Sequence, residues 1–246
     1  MQRYFAKRMD HDFLELNNDD IYHITKVMRM QNGDVIEVVY NEKLYLAEIF
    51  DISFQIKFKV SKQININNQI NTKVTLILPL LKEQKLDYIL QKGTELGVSK
   101  FVFTQMERSN IKINDKEDKK LIRWNKICRE ASEQSKRLLL PEIEFVKDIE
   151  NLDLKNKVIS FCSTTEREMT IKKLLNENKN KELVFIIGPE GGFSLKEEER
   201  FNNLGFISNT LGKNILRVET VPLYLLSIIN YENMEWFYGN NYKFYK

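Results

Sequence analysis

Ile186-Ile187-Gly188-Pro189-Glu190-Gly191-Gly192-Phe193-Ser194 is an apolar strand that runs straight into a glycine loop. Gly191 and Gly192 admit backbone conformations that side chains forbid, and let a ligand rest against bare main chain. Ser194 followed by Glu197 has the capping-box spacing, so a helix starts there. Strand, glycine loop and helix start are how α/β proteins build small-molecule sites at the carboxyl ends of strands. The loop lacks G-x-x-x-x-G-K-[ST] and G-x-G-x-x-G, which excludes a P-loop and the dinucleotide fingerprint. A lone Gly-Gly pair would be ordinary turn punctuation. A second stretch argues for a site: Leu211-Gly212-Lys213-Asn214-Ile215-Leu216-Arg217-Val218-Glu219-Thr220 is again glycine-bearing, and it presents Arg217 and Glu219 just before a helix.

Outward from these loops the pattern is of strands alternating with helices. Strands are expected at Val74–Leu78, Phe101–Phe103, Val158–Phe161 and Leu183–Ile187. Helices are expected at Glu83–Leu96, ended by Gly97, at Lys119–Leu139, with Ile122, Ile127, Ala131 and Leu138 near one side, and at Thr170–Leu175, Ser194–Leu204 and Val221–Trp236. Continuous apolar strands imply a parallel sheet covered on both faces. The first 70 residues read differently. Val35–Tyr40 and Lys43–Phe50 flank Asn41-Glu42 as a tight hairpin, and Ile52–Val60 alternates apolar and polar as a half-buried strand. Asp19–Met30 reads as a short helix with Ile24, Val27 and Met28 as its apolar stripe. These elements suggest a small β-barrel. Ser61–Thr72, polar and Asn-rich, is taken as the linker, with room for one edge strand. The expected domains are therefore 1–70 and 73–246.

Thirty-eight basic and 35 acidic residues leave a net charge of +3, compatible with an RNA partner. Cys128 and Cys162 lie far apart in no metal spacing, as free thiols of a reducing cytoplasm would. Two histidines, His11 and His23, leave little material for a metal site, and His23 is expected to pack and hydrogen-bond. No apolar run of about 18 residues suggests a membrane span.

His23-Ile24-Thr25-Lys26-Val27-Met28-Arg29, Gln91-Lys92-Gly93-Thr94-Glu95-Leu96-Gly97-Val98, Arg108-Ser109, Glu133-Gln134-Ser135-Lys136-Arg137 and the two glycine stretches follow one another in an order and spacing that are specific together. With them the chain resembles the RsmE family of SPOUT-class RNA methyltransferases over nearly its whole length. Where the family pattern continues with small alanines, this chain has Val221-Pro222-Leu223-Tyr224. The resemblance implies an N-terminal PUA-like barrel, a C-terminal SPOUT α/β domain with a trefoil knot, and a homodimer. It implies methylation of uridine N3 in 16S rRNA of the small ribosomal subunit, with S-adenosylmethionine as cofactor and no metal. Carried onto this chain, the cofactor residues are Ser163, Thr164, Gly188, Pro189, Glu190, Gly191, Gly192, Leu211, Gly212, Ile215, Leu216 and Arg217.

Methyl transfer from a sulfonium needs no covalent nucleophile; it needs alignment and help for the uracil N3 proton to leave. Cations near the uracil oxygens stabilise the anion, and a carboxylate or water takes the proton. Arg108, Arg137, Arg217 and Glu219 are the catalytic candidates. Arg217 with Glu219, and Arg137 with Glu133 at i,i+4, are equally well placed for ordinary ion pairs. Arg3, Lys7, Arg8, Lys26 and Arg29 are the candidate RNA contacts of the first domain. The competing readings are a non-catalytic RNA-binding protein and a methyltransferase of another RNA, such as tRNA.

Overall fold

The computed structural model describes residues 1–51, 56–65, 72–112 and 117–234. The chain divides into two compact units. The first comprises Met1–Gln69 with Arg129–Leu140; the second comprises Ile70–Cys128 with Pro141–Lys246.

In the first unit, β1 (Arg3–Phe5), β2 (Arg8–Asp10), β3 (Phe13–Glu15), β4 (Val35–Tyr40), β5 (Lys43–Asp51) and β6 (Lys57–Ile64) form one sheet in the order β1-β4-β5-β6-β3-β2. The β4–β5 hairpin turns on Asn41 and Glu42, both at positive φ, the conformation of the two-residue turn that matches strand twist. Alternation puts Ile36, Val38, Ala47, Ile49 and Phe58 inside, with Tyr4 and Leu14. The polar run taken as a linker starts inside β6, whose Ile64 pairs with Leu44. The expected strand residues 52–55, and the rest of the linker from 66 to 71, lie outside the described residues.

The helix expected over Asp19–Met30 is shorter and of two kinds. After a capping box at Asn17, α1 covers Asn18–Tyr22, and the chain then widens into a π-helical turn, His23–Val27. The wider turn rotates the expected stripe out of register. Ile24 is buried, but Val27 and Met28 are exposed.

The second unit holds β7 (Val74–Pro79), β8 (Lys100–Thr104), β9 (Glu142–Val146), β10 (Val158–Cys162), β11 (Leu183–Ile186) and β12 (Ile207–Asn209), all parallel, in the order β12-β10-β11-β7-β8-β9. Its helices are α2 (Glu83–Glu95), α4 (Ile171–Glu177), α5 (Leu195–Asn203) and α6 (Thr220–Met234). Helix α3 (Glu117–Gln134) starts in this unit and ends in the first. Strand residues alternate between two cores. Leu76, Leu78, Phe101, Phe103 and Phe185 meet Leu86, Ile89, Trp124 and Leu225 on one face. Ile77, Val102, Phe161, Val184 and Ile186 meet Phe193 and Phe201 on the other. That two-sided burial is why the strands read as unbroken apolar runs.

Gly97 closes α2 as a Schellman cap: its N–H donates to Thr94 O, that of Val98 to Gly93 O, and Gly97 has φ +95°. Trp124 is buried against Phe103 and Phe145, and Cys128 is buried. Two expectations for α3 fail. Ile122 is 74% exposed, and the helix ends at Gln134, where Lys136 takes φ +60°. The short edge strands β9 and β12 carry no apolar run, and sequence reading passed over both. Trp236 lies outside the described residues.

Candidate active site

Three neighbouring parallel strands, β12, β10 and β11, end on one side of the second unit, and the loops that follow them line a cleft of about 1140 Å³. All the residues proposed for the cofactor line this cleft: Ser163 and Thr164 after β10, Gly188 to Gly192 after β11, and Leu211, Gly212, Ile215, Leu216 and Arg217 after β12.

Each loop is anchored by its own polar contacts. Ser163 N donates to Asn209 O at 3.0 Å, and its hydroxyl donates to Glu198 Oε1 at 3.0 Å. Fully buried Asn209 donates through Nδ2 to Ser160 Oγ at 2.5 Å and Phe161 O at 3.2 Å, fastening β12 to β10. Burial pushes the neighbouring Cys162 thiol up to about 12, so it stays protonated. In the glycine loop, Gly192 N donates back to Pro189 O at 2.9 Å, and Gly192 has φ +69°. The capping box forms as expected: Glu197 N donates to Ser194 Oγ at 3.1 Å, and Ser194 N to Glu197 Oε2 at 2.8 Å. Arg108 lies along Gly191 and donates from Nη1 to its carbonyl at 2.9 Å. In the third loop Gly212 has φ +117°, which only glycine adopts without strain, and its N–H donates to Thr210 Oγ1 at 3.2 Å.

The charges are arranged unevenly. Arg217 is exposed at the cleft, and its guanidinium has no hydrogen-bond or ion-pair partner among the described residues. Glu219 does not pair with it. Instead Lys85, from the first turn of α2, lies 2.6 Å from Glu190 Oε1 and 3.0 Å from Glu219 Oε2. The Glu219 contact is an ion pair without hydrogen-bond alignment. Burial alone would raise the Glu219 carboxyl, but its own backbone N–H, Lys85 and Arg217 hold it below the usual carboxylate range. Lys85 is held above its ordinary value by its hydrogen bond to Glu190 and by the adjacent Glu219 carboxylate. Sequence reading missed Lys85, which is 105 residues from Glu190.

Other candidates fall elsewhere. Arg137 belongs to the first unit and lies beyond the end of α3. Glu133 faces Arg129, at 3.2 Å. Arg3, expected to contact RNA, is 4% exposed. It pairs with Glu37 at 2.9 Å and donates to the carbonyl of Lys136, so it is a structural residue of the first unit. Lys7, Arg8, Lys26 and Arg29 are exposed. His23 Nδ1 lies 2.9 Å from Tyr4 Oη, in the hydrogen-bonding role expected of it. Lys92 and Glu95 make an i,i+3 surface pair at 2.8 Å.

Residues 68–230 match a family described as an RNA methyltransferase domain, and residues 16–59 one described as an RNA methyltransferase PUA domain. The chain is 34% identical over 248 residues to the ribosomal RNA small subunit methyltransferase E of Bacillus subtilis (strain 168), covering 94% of this chain and 97% of that one. Identity is also 34% over 232 residues to the enzyme of the same name from Mesomycoplasma hyopneumoniae (strain 232), covering 92% and 98%. Among solved structures it is similar, at a TM-score of 0.83 and 25% identity, to a ribosomal RNA small subunit methyltransferase E from Neisseria gonorrhoeae bound to S-adenosyl methionine, covering 94% and 98%. With a cleft built from three loops and relatives matched along almost its full length, the chain belongs to the ribosomal RNA small subunit methyltransferase E family.

Proposed function

We propose that this protein transfers the methyl group of S-adenosylmethionine to N3 of a specific uridine in 16S rRNA of the small ribosomal subunit. The observation that carries this reading is the convergence of three loops on one cleft with an unpartnered cation, Arg217, at its edge. The residues present suit the cofactor. Main chain at Gly188, Gly191, Gly192 and Gly212 can meet an adenine edge, Ile187, Leu211 and Leu216 offer apolar cover, and Glu190 and Glu198 suit an ammonium group. When bound, the cofactor supplies an electrophilic methyl on sulfur.

The protein's part is positioning and charge. Arg217 and Arg108 provide cations for the uracil oxygens as N3 loses its proton. Arg108 is steadied by the Gly191 carbonyl. Glu219, tied to Lys85, stays ionised and contributes charge, while the more exposed Glu190 or a water is the proton acceptor. The basic residues Lys7, Arg8, Lys26 and Arg29 bind rRNA phosphates.

The same reading includes a homodimer and a trefoil knot. Helix α6 is apolar around most of its circumference, and Tyr224 and Tyr231 lie exposed on it, which suits burial against a second copy. The chain passes from edge strand β12 back to α6, packed on α2, a path compatible with the knot. Acting on ribosomal subunits places the protein in the cytoplasm.

The test is methyl transfer from labelled cofactor to small subunits from cells lacking this protein, with the product nucleoside identified by mass spectrometry. The expected product is 3-methyluridine. Cofactor binding without transfer to small subunits or their RNA would redirect the search to other RNAs, and failure to bind the cofactor would favour a pure RNA binder.

A further inference from the structure

Lys85 stands where helix physics disfavours it. It lies in the first turn of α2, whose N-terminal partial positive charge repels a cation, and Lys82 caps the same end. What offsets this is a pair of carboxylates from elsewhere in the chain. Glu190 belongs to the glycine loop after β11; Glu219 ends the loop after β12 and immediately precedes α6. Three segments remote in sequence therefore meet at one ammonium, 2.6 and 3.0 Å from the two carboxylate oxygens. Neither carboxylate has another ion-pair partner among the described residues. Lys85 and Glu219 are largely covered, at 28% and 19% side-chain exposure, so solvent screens them less than it would an ordinary surface pair.

Without the ammonium, the two carboxylates that share it would be left as neighbouring like charges and would push their loops apart. We propose that Lys85 is a positioning residue for methyl transfer: it ties the glycine loop to the start of α6, so that the cleft holds its shape before cofactor and uracil arrive. This inference rests on the cofactor reading given above. It separates two jobs. Arg217 and Arg108 face the substrate, whereas Lys85 acts through Glu190 and Glu219.

Calorimetric binding of S-adenosylmethionine and of S-adenosylhomocysteine to the full-length protein tests this without turnover. Lys85→Met should weaken both by about tenfold or more, the scale of one charge-assisted hydrogen bond. Lys85→Arg should recover most of the loss. Glu219→Gln added to Lys85→Met should recover part of it, because one of the two repelling charges is gone; a structural ion pair whose loss merely loosens the fold would not be rescued in this way. Binding by Lys85→Met within twofold of wild type overturns the proposal. If that variant does not fold, Glu219→Gln alone decides, because Glu219 does not line the cleft: weakened binding supports the tie, and unchanged binding overturns it. Wild-type protein that binds neither molecule overturns the cofactor reading itself, an outcome distinct from the failure of Lys85 alone.

Discussion

Arg3 and Arg129 in the first unit and Arg217 in the second serve opposite ends. In the first, Arg3 is buried against Glu37 and the Lys136 carbonyl, and Arg129 donates to the Phe5 carbonyl and to Asp20 at 3.1 Å, with its guanidinium over the Phe5 ring. In the cleft of the second unit, Arg217 is exposed and unpartnered. The first two are consumed in holding the chain; Arg217 is kept open. The residue type is the same, so what separates the roles is whether the fold supplies acceptors. Basic residues counted along a sequence cannot make that distinction, which is why Arg3 stood among the expected RNA contacts beside the exposed Lys7 and Arg8.

The contrast can be broken in three places. Arg129→Met should have the largest effect, because it removes the cation that faces both Asp20 and Glu133 in their covered site. Removing one partner of such a cluster costs about 3–5 kcal/mol. Denaturant unfolding should show that loss, with cofactor affinity of the folded protein unchanged. An unfolding midpoint within experimental error of wild type would show that the first unit does not depend on its arginines. Arg217→Ala should do the reverse, lowering kcat for rRNA methylation about 100-fold, as loss of one preorganised charge donor does, while the thermal midpoint stays put. A large drop in that midpoint would make Arg217 structural as well.

The smallest effect concerns pH. Burial pushes the Glu133 carboxyl up to about 7, with repulsion from Asp20 adding to it and Arg129 opposing it; Glu130 also raises it, and Tyr4 shares the pocket. The folded state therefore holds this proton more tightly than the unfolded chain does. Its contribution is full below the ordinary value of 4.5 and is lost as pH rises to about 7. Urea midpoints should fall between pH 5 and pH 8 more steeply in wild type than in Glu133→Gln. Parallel slopes would remove Glu133 from the account.

How much of this was readable from sequence follows the range of the forces involved. The Asn41-Glu42 hairpin, the Ser194 and Glu197 capping box and the Gly97 cap are local, and their residues announce them. The strands of the parallel sheet declare themselves because both faces are buried. The π-helical turn at His23–Val27 carries no sequence mark, and it spoiled the stripe drawn through Val27 and Met28. Strands β9 and β12 sit at sheet edges, where half-polar segments such as Glu142-Ile143-Glu144 read as loop. In the cleft, the glycine loops were legible because glycine at positive φ is a backbone requirement. Lys85 was not, because its partners come from the far end of the chain. A signal existed nonetheless: lysine in a helix's first turn contradicts the dipole, and such contradictions concentrate at functional sites.

The inclusion of Arg129–Leu140 in the first unit bears on how the chain matures. Synthesis delivers residues 3–64, all six strands of that sheet, before the segment that supplies Arg129 and the Lys136 carbonyl. The 64 residues from 65 to 128 must be added in between. At about 10 residues per second this is an interval of about six seconds. Throughout it Asp20 lacks its arginine and Arg3 lacks one of its acceptors. The N-terminal sheet is thus first to be made but cannot be first to be finished, and a nascent chain stalled before residue 129 would present it incomplete.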